Sequence, residues 1–198
     1  MAIPNFLIDK LTSQYGEELT KKILEGYSKK RKVTLRVNTI KSNIDEIKNV
    51  LNQNNIEYRN VTWSKEALII EQAREQEIKK LKIYEEGKIY LQSLSSMLPP
   101  IILEPKENED ILDMAAAPGG KTTQMAAMLN NNARITACEM NIVRAEKLKY
   151  NIEKQGASSV YVMVTDSRKV DDLFAFDRIL LDAPCSGSGT LYSEDTRI

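Results

Sequence analysis

The residues most able to do chemistry lie in the C-terminal half, beginning with Asp110 to Leu129, DILDMAAAPGGKTTQMAAML. Ile111 to Met114 is a short, mostly apolar run, the pattern of a buried parallel strand. Ala115, Ala116, Ala117, Pro118, Gly119 and Gly120 follow, all small residues apart from one turn former, so a ligand can lie against the backbone. From Lys121 the chain reads as a helix. A strand, a small-residue loop and a helix N-terminus make a nucleotide-type site, because unbonded N–H groups and the helix dipole face the ligand. Glu139 stands 20 residues beyond Gly119, at the end of a second strand, Arg134 to Cys138; an acid there is placed to hold a ribose diol. Asp166 follows a third strand, Val160 to Val164. Asp182 follows a fourth, Asp177 to Leu181, and opens Asp182-Ala183-Pro184-Cys185. A cysteine at such a tip is a candidate nucleophile once its thiol is deprotonated.

Those residues need one scaffold. Strand, helix, strand, helix (Asn141 to Gln155), strand, short helix or loop, strand implies a parallel sheet with right-handed crossovers. All the polar tips then fall along its carboxyl edge, where open α/β sheets bind ligands.

DMAAAPGGKT, ACEMNIVRAEKL, TDSRK and DAPCSGSGT, in this order, resemble the RNA cytosine-5 methyltransferases of the Nop/Sun family. LRVNTIK at Leu35 to Lys41 and GKIYLQSLSSMLP at Gly87 to Pro99 resemble its N-terminal half. The resemblance implies an α/β fold: a Rossmann-like S-adenosylmethionine-dependent methyltransferase sheet, here partial, behind a small α+β module. It divides the chain into an RNA-binding-type module, residues 1–86, and a donor-binding domain, residues 87–198. It implies S-adenosyl-L-methionine as cofactor, ribosomal or transfer RNA as partner, and no metal. The donor would contact Ala115 to Lys121, Glu139 by its ribose, Asp166 by its adenine amino group and Asp182 near its sulfonium; Lys121 would meet the donor carboxylate or cap the loop. Asp113 either caps the loop or touches the donor's amino acid end. Arg144 reads as a helix surface residue with a possible donor contact. Where the family often has cysteine, this chain has Ala115, which matters little for a main-chain contact.

Asp182 and Cys185 are the catalytic candidates. Carbon 5 of cytosine is a poor nucleophile until a thiolate adds at carbon 6. Pro184-Cys185 matches the nucleophile dipeptide of DNA cytosine methyltransferases. In the Nop/Sun family, however, a second cysteine attacks, and the equivalent of Cys185 helps to remove the carbon-5 proton and release product. The only other cysteine is Cys138, inside a strand. The expectation is therefore a fragment that binds the donor without completing the reaction, with an unpaired apolar edge at its fourth strand.

The remaining chain sets bounds. The net charge of zero gives no support for nucleic-acid binding overall, so contact must be local. The stretch Lys21 to Lys41 holds eight basic residues (Lys21, Lys22, Lys29, Lys30, Arg31, Lys32, Arg36 and Lys41) against one acid, Glu25, and is either a solvated face or a phosphate contact. Pro4 to Ser28 reads as one or two amphipathic helices broken near Gly16, and Val33 to Val37 as a strand. Ile44 to Leu51 reads as a helix capped by Ser42 or Asn43. Tyr58 to Trp63 and Ala67 to Ile70 read as strands joined by Ser64-Lys65-Glu66. Trp63 reads first as a core or interface anchor and second as a platform for base stacking. Ser93 to Leu103 reads as a helix disturbed by Pro99-Pro100. MAIPNFLIDK lacks the basic n-region and the apolar length of a signal peptide, the sequence has no 18-residue apolar run, and two cysteines make no disulfide framework, so a cytoplasmic protein without membrane association is expected. Three alternatives compete. A phosphate-loop NTPase would need glycine where Ala115 stands and leaves Glu139 without a role. An exocyclic-amine methyltransferase would need an aromatic that Asp182 to Cys185 lacks. A non-catalytic RNA-binding protein could retain a degenerate methyltransferase fold.

Overall fold

The computed structural model describes residues 3–29 and 31–185. Two compact units divide them: Lys32–Ala183, and the residues up to Arg31 together with Pro184 and Cys185. The smaller unit holds α1 (Asn5–Tyr27), whose helical geometry is interrupted at Gly16, φ +75°. No helix among the described residues is long and apolar enough to cross a membrane.

The larger unit contains two sheets. The first is antiparallel, in the order β2–β3–β1–β4, with β1 Val33–Val37, β2 Tyr58–Val61, β3 Ser64–Ile70 and β4 Ile89–Leu91. Leu35, Val37, Leu68, Ile70 and Ile89 point from it into a core closed by Ile47 and Leu51 of α2 (Ile44–Gln53). Asn43 caps α2 by accepting from the Glu46 amide at 2.9 Å. Short helices α3 (Glu75–Lys79) and α4 (Lys82–Glu85) occupy the charged segment and add Ile78 and Ile83 to that core.

β4 lies beyond Glu86 and pairs with β1 in register Leu35–Leu91, Arg36–Tyr90 and Val37–Ile89. One reading of this half is corrected. Ser64, Lys65 and Glu66 are the start of β3 rather than a link, so the turn is Thr62-Trp63 and Trp63 is half-exposed there.

The second sheet is parallel, in the order β7–β6–β5–β8, with β5 Asp110–Asp113, β6 Arg134–Cys138, β7 Val160–Met163 and β8 Arg178–Leu180. Helices α6 (Gly120–Met128) and α7 (Ile142–Gln155) cross over between its strands. Ile111, Met125, Ala126, Ile135 and Leu180 form its core. Between the sheets runs α5 (Leu94–Leu103), capped by Ser93 and continuous through Pro99 and Pro100. Proline removes an N–H that would have bonded four residues back; the Ser96 carbonyl that Pro100 leaves over accepts instead from Gln92 Nε2 at 3.0 Å.

Polar groups, most of them buried, join the two sheets. Asn38 Nδ2 donates to the carbonyls of Gly87, 2.8 Å, and Gln155, 2.7 Å. Lys41 Nζ donates to the carbonyls of Glu86 and Lys154. Arg36 Nε donates to Gln92 Oε1 at 3.1 Å and its Nη2 to Thr123 Oγ1 at 3.2 Å, while Gln92 Nε2 also reaches Gln124 Oε1 at 2.9 Å. Arg36 and Lys41 therefore leave the basic stretch predicted for phosphates, and Lys32 is paired with Glu71. Lys21, Lys22, Lys29 and Arg31 belong to the smaller unit, and Lys30 lies outside the described residues.

Asn38→Ala leaves the two carbonyls buried without that donor, and is expected to cost about 1–3 kcal/mol in urea unfolding.

Candidate active site

The strands of the parallel sheet deliver their acids to one edge. Asp113 ends β5, Glu139 follows β6, Asp166 stands three residues past β7 and Asp182 two past β8. Between the first two tips lies the loop Ala115–Gly119, tied down from several sides. The Ala116 amide donates to the Cys138 carbonyl at 2.9 Å. Arg144 Nη2 holds the Ala117 carbonyl at 2.9 Å and Asn151 Nδ2 the Pro118 carbonyl at 2.7 Å, both from α7. Thr123 Oγ1 donates to the Gly119 carbonyl at 2.7 Å. The Ala117–Pro118 bond is cis.

Glycine is required at Gly119 by conformation and by space. Its φ is +106°, and a Cβ there would sit 2.9 Å from Leu148 Cδ1. At Gly120 an added Cβ would come within 3.2 Å of the Tyr90 ring. Among the described residues the amides of Gly120, Lys121 and Thr122 have no hydrogen-bond partner, so α6 presents bare donors and the positive end of its dipole.

Glu139 is 4% exposed. Its Oε1 accepts from the Asn141 amide at 2.9 Å, and its Oε2 pairs with Arg144 Nη1 at 3.1 Å. A carboxylate offers about four acceptor positions, so lone pairs remain for two hydroxyls. Arg144, read from the sequence as a surface residue, grips Glu139 and the loop together; its spacing of five from Glu139 was the available signal. Lys121 Nζ lies 2.6 Å from Asp182 Oδ2, an ion pair that joins the start of α6 to the tip beyond β8.

Asp113 is buried and caps the loop: Oδ2 accepts from Thr122 Oγ1 at 2.7 Å and Oδ1 from the Ala115 amide at 3.4 Å. Burial pushes its carboxyl up to about 6, against the Thr122 bond, which lowers it. Asp166 is engaged differently. Both its oxygens bond to Arg168, it caps a 3-10 turn at Ser167–Lys169, and these bonds hold it down at about 2. Cys138 is buried, and burial raises its thiol. Cys185, in the other unit, has an exposed side chain, so it is no buried packing residue. The parallel sheet thus brings together Ala115 to Lys121, Glu139 and Asp182 along one edge.

Fold and edge define a Rossmann-like methyltransferase domain. Residues 100–197 match the family described as 16S rRNA methyltransferase RsmB/F. Residues 3–77 match the ferredoxin-like domain of RsmF/B-like methyltransferases. The chain is 36% identical to the 25S rRNA (cytosine-C(5))-methyltransferase nop2 of Schizosaccharomyces pombe, covering 96% of this chain and 32% of that protein. It is 37% identical to the tRNA (cytosine(49)-C(5))-methyltransferase of Pyrococcus abyssi, covering 89% and 62% respectively. A crystal structure of a methyltransferase homolog protein from Pyrococcus horikoshii superposes with a TM-score of 0.85 at 34% identity, over 96% of this chain and 62% of that one. The chain belongs to the Nop/Sun family of RNA cytosine-5 methyltransferases. It spans less than two thirds of the length of these relatives.

Gly119→Ala is expected to weaken donor binding by roughly tenfold, the equivalent of about 1.4 kcal/mol, in calorimetric titration. Asp113 generates a pH dependence. An acid raised on folding binds more protons in the folded state, so its stabilising contribution is full below 3.8 and is lost as pH rises through about 6. Relative to wild type, Asp113→Asn should gain up to about 3 kcal/mol between about pH 4 and pH 7 in urea titrations. A flat difference would show that the buried charge costs nothing.

Proposed function

We propose that the protein takes part in transfer of a methyl group from S-adenosylmethionine to carbon 5 of a cytosine in ribosomal or transfer RNA. The observation that carries this is Glu139: a buried carboxylate at the tip of β6, held by Arg144, which also fixes the loop at Ala117. The residues present fit the donor. Its ribose hydroxyls would donate to Glu139, its carboxylate would meet the open amides of Gly120 to Thr122, and its methionine portion would lie along Ala115–Gly119. When bound, the donor supplies an electrophilic methyl on a sulfonium.

Everything else falls to the protein. Lys121 neutralises Asp182 and holds it beside the loop. Asp182 is half-exposed and so is accessible to a base brought to the edge. Asp166 faces the adenine end of the donor, with lone pairs left over from Arg168. Cys185 follows Asp182 by three residues. As a thiolate it can either add to cytosine carbon 6 or take part in removing the carbon-5 proton, as the family's cysteine at this place does. The target base must be unstacked to reach the site. The N-terminal module and the surrounding surface supply the RNA contacts.

Titrating the 198-residue chain with S-adenosylmethionine in a calorimeter tests the donor half. Heat should appear for wild type, and Glu139→Ala should weaken binding at least tenfold, since two charge-assisted bonds are lost, each worth about 1.5–3 kcal/mol. Silent titrations with folded wild type, or equal affinity in Glu139→Ala, would remove the proposal. Label transferred from the donor into RNA, located at carbon 5 by mass spectrometry of nucleosides, tests the other half.

A further inference from the structure

A second cavity, of about 510 Å³, lies between the β2–β3 turn, α5 and the C-terminal half of α6. That volume suits a small-molecule-sized ligand. Its buried polar lining residues are Arg36 and Gln124, each 4% exposed, beside the buried apolar Val37 and Ala127; its exposed ones include Trp63 and Met128, at 43% and 45%. The first pair therefore forms a polar floor and the second an apolar mouth. The donor loop sits at the opposite end of α6, a nine-residue helix and so roughly 13 Å long.

Arg36 is the buried charge of this cavity. Its two hydrogen-bond partners, Gln92 and Thr123, are both neutral, and its guanidinium lies 5.8 Å from the centre of the Tyr90 ring. Glu66 is near enough to act on its charge but forms no salt bridge with it, and Nη1 donates to no described residue. Burial pushes the guanidinium down to about 10, so it remains charged at neutral pH while lacking most of its hydration. A planar fork with unused donors suits paired acceptors on one edge of a flat ligand. Lys65 and Glu66 also line the cavity. Their opposite charges cancel, which disfavours a bare anion and favours a ligand carrying both acceptors and donors. Trp63 offers the matching apolar plane.

We propose that this cavity holds an unstacked guanine of the RNA, a few nucleotides from the target cytosine, with its O6/N7 edge on Arg36 and its ring against Trp63. Arginine bidentate to O6 and N7 of guanine is the commonest specific contact between this side chain and a base edge. Glu66 is then available to the guanine N–H groups. RNA modules read single strands in this way, by stacking splayed bases on aromatic planes and bonding their edges. The subsite rests on the RNA reading above, and it gives the small module a specific part in choosing the substrate.

Trp63 is the only tryptophan, so its emission reports the cavity directly. The test titrates the whole 198-residue chain with the pentanucleotides UUGUU and UUAUU. UUGUU should quench emission saturably and bind roughly fivefold or more tightly than UUAUU. Trp63→Ala, at a half-exposed turn where folding is not at risk, should weaken binding of end-labelled UUGUU roughly fivefold or more. Arg36→Gln should abolish the preference for guanine. Saturable binding without quenching, equal affinity for the two RNAs, or the same quenching by polyglutamate would each overturn the subsite. Calorimetry with S-adenosylmethionine on the same samples reads the donor site separately: silence there counts against the methyl-transfer reading, and loss of quenching alone counts against the guanine site.

Discussion

A guanidinium placed in a protein interior has to be satisfied there, because returning it to water means taking the structure apart. Arg36 occupies that position between the two sheets. It rises from β1, bonds Gln92 at the end of β4, and bonds Thr123 in the first turn of α6. Thr123 in turn donates to the Gly119 carbonyl. A residue of the antiparallel module is therefore two hydrogen bonds from the loop proposed to face the donor. The charge fixes the distance between the sheets, and the loop inherits that distance.

The carboxyl edge of the parallel sheet follows a related logic. Acids gathered at neighbouring tips repel one another unless each has its own partner. Glu139 has Arg144, Asp166 has Arg168, Asp182 has Lys121, and Asp113 has Thr122 and burial. Two of these partners also tie a second element: Arg144 the loop, Lys121 the start of α6. Electrostatic relief and positioning are thus carried by the same side chains. The edge is held by its own side chains, and such preorganisation lowers the ordering cost of binding.

How much of this the amino acids disclosed varied with the kind of signal. The parallel sheet was legible because strands covered on both faces are short apolar runs, and because Gly119, Glu139 and Asp182 recur at intervals a βαβ repeat dictates. Arg36 was not. Val33, Leu35 and Val37 alternate, which puts Arg36 on the outer face of β1 and makes it one more cation in a basic stretch. Alternation says nothing about a second layer, and here α5 and α6 cover that outer face. Arg144 was under-read for a similar reason: helical periodicity places it at the surface, and only the tertiary fold shows Glu139 beneath it. Pro99 and Pro100 argued for a broken helix because the side chain that relieves the orphaned Ser96 carbonyl, Gln92, comes from outside the helix. Trp63 read as a core or interface anchor at the end of a strand, yet that strand stops two residues earlier, at Val61, and leaves Trp63 in the turn.

The clasp made by Asn38 and Lys41 bears on how such a protein can change over evolutionary time. From one short loop these two side chains grip four carbonyls, at Glu86 and Gly87 beside the first sheet and at Lys154 and Gln155 at the end of α7. A recombination event that exchanged one half for a foreign domain would have to supply the same four acceptors at the same places. The two halves are thus matched at the level of single atoms, and a hybrid lacking one of those acceptors would leave a donor of Asn38 or Lys41 without it.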